Sequence, residues 1–100
     1  MDEYRSVLKL LKKNCPAKYP ISVRRVKLGE LLYGDCDCVK RKFYIRINKN
    51  LDQSMAIDTL LHEWAHALAW NRKKDYHWYG WGRTFSKVYR IYLKEYHNEK

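Results

Sequence analysis

Apolar residues recur along this chain first at helical, then at alternating, then again at helical spacing. Over residues 3–14, Tyr4, Val7, Leu8 and Leu11 share one helical face, with Lys9, Lys12 and Lys13 opposite. Asp2 and Glu3 suit the start of such a helix and the lysines its end. Asn14 and Pro16 stop it. Residues 21–28 alternate as Ile21, Val23, then Val26 and Leu28, and Arg24-Arg25 break the phase. This predicts a strand with a bulge at the arginine pair. Gly29-Glu30 reads as a turn and Leu31-Leu32-Tyr33 as the start of a second strand. Gly34-Asp35 reads as a break, with an irregular continuation over 36–38. The clearest strand runs from Lys42 to Asn48. Phe43, Ile45 and Ile47 point one way, and Tyr44, Arg46 and Asn48 the other.

Residues 48–52 form a turn, and Asp52 or Ser54 caps the helix that follows. That helix is expected from about Gln53 to Asn71, with Ile57, Leu60, Leu61, Trp64 and Leu68 on its core face. A charged loop over 71–75 leads to a last helix that starts near Trp78 to Gly82 and runs to about Tyr96. Trp81, Phe85, Val88 and Tyr92 make one stripe along it, and Tyr89, Leu93 and Tyr96 a second; core packing accounts for both. No repeat or linker interrupts the pattern. The predicted fold is α+β in a single domain over residues 1–100. It comprises an N-terminal helix, a three-stranded, mainly antiparallel sheet and two further helices.

Composition adds a partner class. The net charge is +10 on 100 residues, an excess that favours nucleic acid or another polyanion. The candidate contacts are Arg24, Arg25 and Lys27, then Lys40, Arg41 and Lys42, then Arg72, Lys73 and Lys74. No run approaches the ~18 apolar residues of a membrane span, and no apolar stretch follows the polar start Met1-Asp2-Glu3-Tyr4-Arg5. An intracellular, cytoplasmic and monomeric protein without a membrane partner is therefore expected. Three cysteines, an odd number without a secretion signal, point to reduced thiols. Cys36-Asp37-Cys38 could hold metal, but such residues are more often small and half-buried.

The chemistry is concentrated in His62-Glu63-Trp64-Ala65-His66. Residues four apart on a helix lie on one face, roughly 5–6 Å apart, so both imidazoles can grip one ion. A shuffled chain of this composition would show H-E-x-x-H at roughly the one per cent level. Catalytic zinc takes three protein ligands and keeps one position for water or substrate. Of the remaining histidines, His97 lies in a polar tail. His77, across one loop at the start of the next helix, is the candidate third ligand. Glu63 would take a proton from the activated water and pass it to the leaving amine. Tyr76, Tyr79 and Tyr89 are candidates to steady the oxyanion.

His62-Glu63-Trp64-Ala65-His66, followed after a loop by His77-Trp78-Tyr79-Gly80-Trp81, resembles the SprT-like zinc metalloproteases. Those carry an H-E-x-x-H helix, then a third histidine followed four residues later by Phe or Trp. Their relatives include Spartan, which acts on proteins crosslinked to DNA, and compact phage-encoded forms. Leu60 to Ala69, and Trp81-Gly82 through Tyr89-Arg90, are most similar to the phage forms. The resemblance spans roughly residues 30–96; the family's usual His-Gly pair reads His77-Trp78 here. It implies a minimal zincin-like fold and a zinc metalloendopeptidase with one Zn2+ ion. It also implies protein substrates near DNA and, for a phage protein, action in the bacterial host. Two other readings use the same residues: a nucleic-acid- or partner-binding module with a structural zinc, and a regulatory peptidase with one defined protein substrate.

Overall fold

The computed structural model describes residues 2–71 and 77–96. The elements run α1 (Asp2–Asn14), β1 (Ile21–Val26), β2 (Gly34–Val39), β3 (Lys42–Asn48), α2 (Gln53–Leu68) and α3 (Tyr79–Tyr96). The helices cover one face of the sheet and the other face is open to solvent. Phe43, Ile45 and Ile47, buried on central β3, meet Ile57, Leu60, Leu61 and Trp64 of α2. Val7 and Leu11 of α1 and Val88 and Tyr92 of α3 join the same core by packing on α2, and the Tyr92 hydroxyl meets the Glu3 carboxylate at 3.3 Å where α1 and α3 touch. Trp64 is almost wholly buried, and its indole N–H donates to the Cys15 carbonyl at 2.8 Å. That bond fixes the exit of α1 against the middle of α2. The entry of α2 is fixed twice. The Asp52 carboxylate accepts from Met55 N at 2.9 Å, so of the two caps the sequence offers, Asp52 rather than Ser54 is used. The Gln53 side chain accepts from Tyr4 N at 3.2 Å, joining the starts of α1 and α2.

The sheet is mixed, where a mainly antiparallel one was expected. Its order is β1-β3-β2; β3 pairs antiparallel with β2 and parallel with β1. The chain leaves β1, crosses beyond the place of β3 to form β2 at the far edge, and turns back through a tight hairpin into the gap. β3 therefore returns in the direction of β1. Local alternation sets which residues form strands; it says nothing of which neighbours they take. The predicted bulge is absent too. The register runs one-to-one from Ile21 opposite Phe43 to Val26 opposite Asn48. Arg25 stays in phase because its guanidinium has partners on its own side. It donates to the carbonyls of Asn48, Lys49 and Leu51 at 3.2–3.3 Å and lies 5.1 Å from the centre of the Tyr4 ring.

Leu31, Leu32 and Tyr33 are an exposed loop rather than strand, and Gly34 begins β2 rather than breaking it. Asn48, expected on the face opposite Phe43, Ile45 and Ile47 with Tyr44 and Arg46, is buried and builds that loop. Its side-chain amide donates to the carbonyls of Leu32 (2.9 Å) and Gly29 (3.3 Å), and its backbone N–H to the carbonyl of Tyr33 (2.8 Å). At Gly34 a Cβ would lie 2.6 Å from the Arg46 carbonyl oxygen and 2.8 Å from Thr59 Cγ2. The glycine therefore marks the close approach of β2 to its sheet partner and to α2. α2 ends at Leu68, short of the expected Asn71. The Ala69 carbonyl just beyond it accepts from the Trp78 indole at 3.1 Å. Among the described residues, no helix is long and apolar enough to cross a membrane.

Candidate metal centre

His62 and His66 sit one turn apart on α2, and His77 comes in from the segment just before α3. Nε2 of His62 lies 3.2 Å from Nε2 of His66 and 3.2 Å from Nε2 of His77. One ligand atom from each of the three falls within 4.8 Å of the others, so together they could hold a metal ion. The chemistry of the donors favours that use. A neutral imidazole offers at Nε2 either one hydrogen or one lone pair, so His62 Nε2 cannot make two good hydrogen bonds at once. One cation between them would satisfy three lone pairs together. A tetrahedral ion with bonds of about 2.0–2.1 Å to nitrogen sets its ligand atoms about 3.3 Å apart, and the two 3.2 Å separations match.

The surroundings favour the neutral form of His62 and His66. Burial, then the charges of His62 and His77, pushes His66 down to about 3. Burial, then His77, lowers His62 from its ordinary value. Neutral imidazole is the form that binds metal. Trp81 orients the cluster. Its ring stacks on His66 at 5.0 Å and 23°, and its indole N–H donates to the His62 carbonyl at 3.4 Å. Phe85 stacks behind it at 5.2 Å and 7°. Sequence periodicity assigned Trp81 to core packing alone. The signal that could have found its second role was its spacing, four residues after His77, which returns it to the histidines by one helical turn.

Glu63 is buried on α2 beside His62, and both line a cavity under the 30–34 loop. Cys36 of β2 faces this side. Burial, then the Glu63 charge, holds its thiol well above the usual range. Among the described residues, the three histidines are the cluster that could hold an ion, and Cys36-Asp37-Cys38 is not part of one.

The other expected site residues fall as follows. Tyr79 is 78% exposed with Arg83 over its ring, and Tyr89 lies two turns beyond Trp81 on α3. Among the described contacts of the imidazoles, the aromatic partners are Trp81 and Phe85 rather than either tyrosine. Tyr76, Arg72, Lys73 and Lys74 lie outside the described residues, as does His97. Arg24, Lys27, Lys40, Arg41 and Lys42 are exposed, whereas Arg25 is committed to backbone carbonyls. Lys40 and Arg41 occupy the two left-handed positions of the β2–β3 hairpin, with φ of 49° and 63°. Asn-Gly is the favoured pair there.

Fold and site together define a small α+β domain that gathers three imidazoles beside a buried carboxylate. Compared with protein-family models, with curated proteins and with solved structures, the chain matches none.

Proposed function

We propose that this chain is a zinc-dependent metalloendopeptidase with a minimal zincin-like, SprT-like architecture. The observation that carries the proposal is the convergence of His62, His66 and His77 with Glu63 adjoining and opening onto a cavity. Three imidazoles suit zinc and leave a coordination position free, the arrangement of hydrolytic rather than structural sites. Zinc, when bound, supplies a Lewis acid that polarises a carbonyl and acidifies water. Glu63 supplies the base, taking a proton from the attacking water and handing it to the leaving amine. Trp81 and Phe85 hold the His62–His66 face in register. A purely structural site has no use for the carboxylate at position 63.

DNA-associated proteins are the proposed substrates. The supporting feature is the hairpin tip. Left-handed backbone costs a residue with a Cβ roughly 1–2 kcal/mol. Lys40 and Arg41 nonetheless stand there, next to Lys42 and the half-exposed Tyr44 ring, 5.3 Å from the Lys42 ammonium. A basic tip with an aromatic neighbour suits a nucleic-acid strand. The test is cleavage of casein and histone by the zinc-loaded protein, with and without single-stranded DNA and with and without a chelator. Metal-dependent cleavage, stimulated several-fold by DNA, is expected. Zinc bound at one equivalent with no cleavage under any condition would overturn the peptidase reading.

A further inference from the structure

The cavity beside Glu63 differs in character from the rest of this basic chain. It is an open cleft of about 640 Å³, lined by Glu30, Leu31, Tyr33, Met55 and Asp58 beside Glu63. That volume lies within the usual range of ligand clefts. The protein carries 21 Lys and Arg, yet none of the described residues lining the cavity is Lys or Arg, whereas three are acidic. Its lip is unusual as well. Leu31 is 97% exposed and Tyr33 51%. Such residues on a loose loop would mean little, but this loop is tied down. Asn48 holds the carbonyls of Gly29, Leu32 and Tyr33, and Leu32 N donates to the Gly29 carbonyl at 3.1 Å. The loop backbone is therefore held in place, and Leu31 and Tyr33 line the same cavity as Met55 of α2. Asp58 and Glu30 stand exposed at the rim.

Resting on the peptidase reading above, we propose that this cavity selects the substrate. It takes a large apolar side chain of an extended polypeptide against Leu31, Tyr33 and Met55, and a neighbouring Lys or Arg against Glu30 and Asp58. Charge decides between occupants. A net charge of +10 attracts acidic peptides over the surface as a whole. The rim alone favours basic ones, and only at short range, since salt screens exposed charges beyond ~8 Å. A preference for basic peptides would therefore run against the global field and report the cavity itself. Tails and loops of nucleic-acid-binding proteins have this chemistry.

The experiment measures binding, not turnover. Two fluorescein-labelled peptides share one central Leu, flanked by Lys-Arg in one and by Asp-Glu in the other; a third replaces Leu by Ala in the basic context. Each is titrated by anisotropy at physiological salt against zinc-loaded Glu63→Gln protein. The basic Leu peptide is expected to bind at least about tenfold tighter than either control. Glu30→Lys with Asp58→Lys is expected to reverse the charge preference. Leu31→Ser, at a position too exposed to matter for folding, is expected to narrow the Leu-over-Ala difference. Equal affinities for all three peptides, or a preference that survives the rim substitutions, would overturn the proposal. Selectivity in Glu63→Gln, with a wild type that cleaves nothing, would support the cavity assignment and remove the hydrolytic one. Cleavage without selectivity would do the reverse.

Discussion

Glu63→Gln is expected to keep about one equivalent of zinc and to lose peptide hydrolysis on the order of a thousandfold, the scale of a positioned general base. Glutamine preserves the shape of the side chain on α2, where Glu63 is 4% exposed among packed neighbours, so folding should not change. It cannot accept and deliver a proton. Thermal melting, metal content and cleavage of casein, measured on the same preparation, separate these effects. A Glu63→Gln protein that still cleaves at the wild-type rate would remove Glu63 from its assigned role.

Substitution of single histidines is expected to divide metal binding from stability. His66 is 3% exposed and stacks on Trp81, whereas His77 is exposed. Each alanine variant should lose more than about a hundredfold in zinc affinity, because even an outer partner of a ligand is worth ten- to a hundredfold. The metal-free proteins should differ. His66→Ala removes a packed ring between α2 and α3 and should melt at lower temperature. His77→Ala should melt like the metal-free wild type. Competition with a chromophoric chelator and melting curves in excess chelator measure the two quantities independently. Wild-type affinity in His77→Ala would mean that another residue completes the site.

The sign of the pH response follows from the lowered histidines. With His66 pushed down to about 3, the folded metal-free chain resists a proton that the unfolded chain accepts near 6.5. Stability conferred by this packing is complete above that value and is lost as pH falls through the window between the two. Metal release follows in the same direction, since protonated imidazole is not a ligand.

How legible the molecule was depends on how local each cause is. The helices and β3 follow from residue periodicity, and the Asp52 cap from side-chain chemistry three residues long. The His62–His66 pair needs only the helical repeat. Strand order is different in kind. Nothing within Ile21–Val26 or Gly34–Val39 records that β3 lies between them. From sequence, Arg25 reads as a polyanion contact and Asn48 as a residue of the face away from the core, since polar residues are mostly exposed. Their actual partners are backbone carbonyls 16 to 26 residues away. Leu31-Leu32-Tyr33 looks like strand because its composition is strand-like; in the fold Asn48 holds its carbonyls and the segment stays a loop. Trp81 was visible as an aromatic position but not as the ring against His66, since a helical stripe gives a face without naming what meets it.

The central claim is an open centre formed by three imidazoles, and X-ray absorption at the zinc edge of the loaded protein tests it most directly. The expected spectrum shows three imidazole nitrogens at about 2.0–2.1 Å and one further light, non-protein ligand. It should change when a peptide hydroxamate is added. A sulfur shell at about 2.3 Å, or four protein ligands indifferent to the hydroxamate, would contradict the account and make the metal structural.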